Sequence, residues 1–110
     1  MNADDDAELR EERYRLLAAG VLDDPRVTEG TGFGASRGLR VNGRIFAIFQ
    51  ADGLVVKLAK PRVDTIVTAG DGVRFDPGHG RLMREWVKVP VTRAGGEQLL
   101  LEARDFVAGE

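Results

Sequence analysis

The sequence predicts an α+β domain in which an antiparallel sheet of five to six strands is backed by three helices. Three observations predict it. Two hairpin signals, Asn42-Gly43 and Asp52-Gly53, bracket the apolar run 45–49. Apolar residues at helical spacing lie before, between and after the strand-like segments. The chain has 110 residues, close to the commonest domain size, so the elements belong to one unit spanning 1–110.

Residues 4–22 read as the first helix, with 1–4 a disordered tail. Asp4, Asp5 and Asp6 suit a helix start, where the dipole favours negative charge. Leu9, Tyr14, Leu16, Leu17 and Val21 recur near helical spacing, and Gly20 with Asp23-Asp24-Pro25 ends the pattern. Residues 26–58 read as sheet. Gly30, Gly32, Gly34 and Gly38 make its first strand short or bulged. The two hairpins then give a meander of 37–41, 44–50 and 54–58. Val41 is expected opposite Arg44, and Ala51 opposite Leu54. Alternation places Ile45, Ala47, Phe49, Leu54, Val56 and Leu58 on one uniformly apolar face, the main core. The other face mixes Leu39, Val41, Phe46, Ile48 and Val55 with Arg37, Arg44 and Lys57.

Lys60-Pro61 opens a second helix, since proline suits a first helical turn. Val63, Ile66, Val67 and Gly70 form its apolar stripe, and Gly70 and Gly72 end it. Residues 73–75 are a short strand. A loop leads to a strand over 84–91, where Val87, Val89 and Val91 alternate with Trp86 and Lys88. Pro90 marks an edge position or the strand's end. After a turn at 93–96, residues 97–108 form the last helix, with Leu99, Leu100, Ala103, Phe106 and Val107 inward.

Composition excludes several functions. Without cysteine there is no disulfide, no Cys-ligated zinc and no thiol chemistry. No apolar run approaches the roughly 20 residues needed to span a bilayer. The acidic start, Asp4 to Asp6, is unlike a secretion signal, so a cytoplasmic location is expected. The net charge of −2 is unevenly spread: −5 over 1–24, +6 over 25–93 and −3 over 94–110. A basic middle between acidic ends suits either a polyanion-binding face or internal charge matching, and the acidic whole favours the latter.

The segments 33–35, 38–47, 52–58 and 75–89 carry a further signal. They hold Phe33-Gly34-Ala35, the two hairpins, Phe75-Asp76-Pro77, and Met83-Arg84-Glu85-Trp86-Val87-Lys88-Val89. In this order they resemble the TfoX N-terminal domain and YjbR (MmcQ)-like group of small bacterial proteins, over about 5–108. The resemblance implies a curved antiparallel sheet backed by helices. It also implies a regulatory role: the YjbR side is described as DNA-binding, and the TfoX side is linked to natural competence. It brings no catalytic residues.

The residues themselves carry no common catalytic motif. Asp76 and His79 could form an acid/base couple. Yet no nucleophile or oxyanion hole accompanies them, and turn chemistry at Asp76-Pro77-Gly78 outweighs that reading. A lone histidine is also too little for a metal site. The glycines of 30–34 precede a strand rather than a helix, so a bulged strand outweighs a phosphate loop. The expectation is thus a non-enzymatic interaction module for DNA or protein, without cofactor or metal. The rival is a small-ligand binder or enzyme using the loop from Asp76 to Arg84. The candidate contact residues are Arg37, Arg44, Lys57, Arg81, Arg84, Trp86 and Lys88. Trp86 has three readings: a base-stacking platform, a dimer core, or packing under helix 4–22, with the first the weakest. The mixed sheet face is too apolar to be left to water as one patch and too charged for a closed core, so a homodimer through it is expected.

Overall fold

The computed structural model describes residues 3–31, 37–50, 53–75, 83–91 and 94–109. In chain order the elements are α1 (Ala3–Leu22), β1 (Val27–Thr31), β2 (Arg37–Val41), β3 (Arg44–Gln50), β4 (Gly53–Lys57), α2 (Lys60–Thr68), β5 (Val73–Phe75), β6 (Met83–Val89) and α3 (Gly96–Ala108). The fold is α+β, a six-stranded antiparallel sheet with three helices. Strand order is β1-β2-β3-β4-β6-β5, so β1 to β4 form a meander and α2 carries the chain to the far edge. The hairpin β5–β6 then returns β6 beside β4. Helix α1 begins at Ala3, one residue before the expected start at 4, and ends at Leu22 as expected. Pro90 follows an interior strand and marks its end.

Asn42 and Gly43 have φ of 53° and 81°, the left-handed pair of a tight hairpin, and Val41 faces Arg44 as expected. The second hairpin differs. Gln50 pairs with Gly53, and Leu54 faces Phe49 rather than Ala51, which itself lies outside the described residues. The shift is two residues, which leaves every side chain on its expected face.

A bulge in β3 changes the faces themselves. Leu39 pairs with Ala47, but Arg40 pairs with Ile45, leaving Phe46 as an extra residue. Phe46 and Ala47 are consecutive, yet both enter the same core, where each is 0% exposed. The extra residue reverses alternation on its two sides. Leu39, Val41 and Phe46, expected on the mixed face, belong instead to the main core with Phe49, Leu54, Val56 and Leu58. Ile45, expected in the main core, packs on the opposite side beside Ile48, Val55, Phe75 and Trp86.

The helices close the main core. Helix α3 packs on β2, β3 and β4 and against α1, while α2 packs on β5 and β6. Tyr14, Leu17, Ala18 and Val21, at i, i+3, i+4 and i+7, are the buried stripe of α1. Leu9 and Leu16, expected in that stripe, are more than half exposed. The Tyr14 ring meets Phe49 edge-on at 4.2 Å between centroids, and its hydroxyl donates to Glu29. Arg37 pairs with Glu11 and lies 4.8 Å over the Tyr14 ring. An arginine assigned to the mixed face is therefore spent on α1.

Ion pairs tie the layers together. Arg74 of β5 reaches Asp64 of α2 at 2.5 Å, and Arg62 of α2 reaches Glu102 of α3 at 3.0 Å. Asp24, after α1, pairs with Arg26 at 2.9 Å and Arg104 of α3 at 3.5 Å. Hydrogen bonds from the Arg26 side chain and backbone N–H hold the Asp24 carboxyl at about 2. Asp64 is likewise lowered, by hydrogen bonds from Lys60 and then Arg74. Among the described residues, no helix is long and apolar enough to cross a membrane.

Candidate functional site

The antiparallel order sends the strand termini to two ends of the sheet. Arg44 opens β3, Lys57 closes β4, and Arg84 lies at the start of β6, so all three share the end that carries the Asn42-Gly43 hairpin. Lys57 pairs with Trp86 across the β4–β6 ladder, and Leu58 N–H donates to the Glu85 carbonyl at 2.9 Å. The β5–β6 ladder is irregular here: Arg74 faces Val87, but Phe75 faces Met83, so β5 has no direct partners for residues 84–86. That irregularity leaves Arg84 and Glu85 exposed.

An open groove of about 350 Å³ lies at this end, lined by Arg44, Ile45, Lys57, Glu85, Phe106 and Val107. Its floor is partly apolar, from β3 and the last turns of α3. Its charged groups are two cations and one carboxylate. Lys57 Nζ sits 6.0 Å from the Trp86 ring centroid, at the limit of a cation–π contact. Arg44, Lys57 and Arg84 make no ion pair with any described residue. The arginines of the fold's interior seams, by contrast, are paired with Glu11, Asp64 or Glu102.

Helix α2 starts three residues beyond Lys57, and its N-terminus adds to the positive potential there. The cap residue, Ala59, supplies no side-chain bond, and the first turn holds no acid.

Four of the seven candidate residues thus gather at one end: Arg44, Lys57, Arg84 and Trp86. Arg37 and Lys88 lie toward the opposite end. Lys88 lines a second open groove of about 360 Å³ with Gly72, Val73 and Pro90. Arg81 falls outside the described residues, as do Asp76, His79 and most of the 30–34 glycine run. The rival site on the loop from Asp76 therefore falls largely outside them.

Trp86 is 3% exposed and packs with Ile48, Val55 and Phe75. It belongs to a core, but on the face away from α1, which corrects its placement under that helix. Its burial also removes the stacking platform, because a base needs an open ring face. Leu39, Val41, Phe46, Ile48 and Val55 are each 0% exposed, so the patch on which the homodimer expectation rested is interior.

Ile45, Glu85, Phe106 and Val107 were missed as site residues. The last two look like ordinary inner-face residues of α3, and the packing of that helix on β3 and β4 brings them to the groove with Arg44 and Lys57. Among the described residues, no cluster of His, Asp or Glu could hold a metal ion. Comparisons with protein families, curated proteins and solved structures find no match for this chain.

Proposed function

We propose that this chain is a non-enzymatic interaction module, of the regulatory kind that its resemblance to TfoX N-terminal and YjbR-like proteins implies. Its working surface is the basic end of the sheet, and its partner is anionic, a nucleic acid or an acidic protein surface. One observation carries the reading: Arg44, Lys57 and Arg84 lie at the same end of the sheet with no ion partner among the described residues. Cations at the ends of neighbouring strands raise the local potential and attract counter-charge. The start of α2, with no side-chain cap and no acid in its first turn, reinforces it. The neighbouring groove gives the partner something to fit.

Heparin, a generic polyanion, tests the reading. The wild-type chain should be retained at low salt and released as salt rises. The triple variant Arg44→Ala, Lys57→Ala, Arg84→Ala should elute earlier, with an unchanged melting temperature. A chain that heparin does not retain, or a triple variant that elutes with the wild type, would refute it.

A further inference from the structure

We infer that the groove between the basic end of the sheet and the last turns of α3 takes a short acidic peptide segment carrying one apolar side chain; the inference rests on the reading above that this end is the working surface. The groove's own chemistry selects this occupant. Arg44 and Lys57 line it, and both lack an ion partner among the described residues. They can receive carboxylates, which arginine grips through paired N–H donors. Ile45, Phe106 and Val107 line it too, and all three are only half-buried. A phosphodiester backbone offers nothing apolar to cover them, whereas a leucine or phenylalanine side chain does. At about 350 Å³ the groove is near the lower end of ligand-sized sites, room for one such side chain.

Glu85 separates peptide from nucleic acid. Its carboxylate lines the same groove as the two cations. A DNA sugar–phosphate backbone brings it like charge and no donor, whereas an acidic peptide brings like charge together with donors. Against a peptide it is an acceptor for backbone N–H groups. Trp86 points the same way, since its ring is buried among Ile48, Val55 and Phe75 and offers no face to a base. Recognition therefore works by charge at the rim and one apolar anchor at the floor, the usual division in peptide-sized interfaces.

Fluorescence anisotropy with labelled probes tests this on the whole chain. The probes are Glu-rich peptides with a central Leu or Phe, the same peptides with a central Ser, and short duplex and single-stranded DNA. The apolar-centred peptides should bind about tenfold tighter than the Ser controls, the worth of burying part of one side chain. Val107→Glu should abolish that preference, and Arg44→Ala with Lys57→Ala should weaken all peptides. In the wild type, NMR amide shifts on titration should centre on Ile45, Glu85, Phe106 and Val107, which keeps the test decisive if a variant misfolds. Equal binding of Leu and Ser peptides, or shifts centred elsewhere, would overturn the inference. DNA bound more tightly than every peptide would overturn it and leave the anionic-partner reading standing. No binding by any probe would remove both.

Discussion

The two faces of the sheet are built differently. One is covered by three helices and carries the large core that runs from Tyr14 to Ala103. The other holds a satellite of four buried residues, Ile48, Val55, Phe75 and Trp86, with Ile45 packed against it. The helical face is where paired arginines and buried rings lock layers together. The satellite face leads to the end where cations stand unpaired. The difference teaches that a charged, half-apolar surface need not be an interface. Arg37 is balanced by Glu11, and Leu39, Val41 and Phe46 are interior. What remains for a partner is a smaller patch at the strand ends.

Substitutions can break or sharpen that contrast. The largest effect is expected at Phe46, 0% exposed beneath the helices. Phe46→Ala should cost about 3–5 kcal/mol in urea unfolding, much of a domain's stability. Phe46→Glu should give no cooperative transition at all. A folded, soluble Phe46→Glu monomer would mean that this residue faces outward and that the bulge is wrongly placed.

On the other face, Ile48→Ala should cost about 2–3 kcal/mol, the lower part of the usual range, because a satellite cluster can collapse around the loss. A loss as large as that of Phe46→Ala would erase the distinction between the two cores. Gly72→Ala probes how closely α2 and β6 approach. A β-carbon there would lie 2.9 Å from the Lys88 carbonyl oxygen, 2.9 Å from Val89 Cγ1 and 3.1 Å from Ile66 Cγ2. Overpacking of this kind should cost about 1–3 kcal/mol by thermal melting. A neutral effect would show that the seam is loose.

The smallest effect is at Asp24, which clamps the turn after α1 to α3. Its carboxyl is lowered from 3.8 to about 2 by hydrogen bonds from Arg26. The folded value lies below the unfolded one, so its contribution is whole above the ordinary value and is lost as pH falls through about 2. Melting temperature followed from about pH 5 downward should fall less steeply in Asp24→Asn than in wild type. Parallel curves would assign the acid sensitivity to other carboxylates.

Most of the architecture was legible because its signals are local. Asn42-Gly43 needs left-handed backbone, Lys60-Pro61 suits a helix start, and the stripes of α2 and α3 repeat at helical spacing. The bulge was not legible, for a physical reason. In Ile45, Phe46, Ala47, Ile48 and Phe49 every position is apolar, so both alternations satisfy a core and neither face announces itself. The outer stripe of α1 misled in the same way, since Leu9 and Leu16 look like core residues yet face outward. At the site, residue type marked Arg44, Lys57, Arg84 and Trp86. The expected strand directions alone could have separated Arg37 and Lys88 from them, because those two sit at opposite strand termini. The groove's apolar wall required the docking of α3 on β3 and β4, which no local pattern encodes.

The extra residue at Phe46 has one more consequence, for how this protein can change over generations. A strand with uniform alternation can lose two residues and keep its inside and outside. Here the loss of a single residue at 46 or 47 would remove the bulge. Regular alternation would return with Leu39, Val41 and both flanks of β3 on their present faces, whereas the loss of two residues there would turn one flank over. Loss of one residue at the bulge should therefore be tolerated better than loss of two, the reverse of the rule for a regular strand. Descendants of this chain are free to vary in spelling at β3, and its letter count can fall by one but not by two.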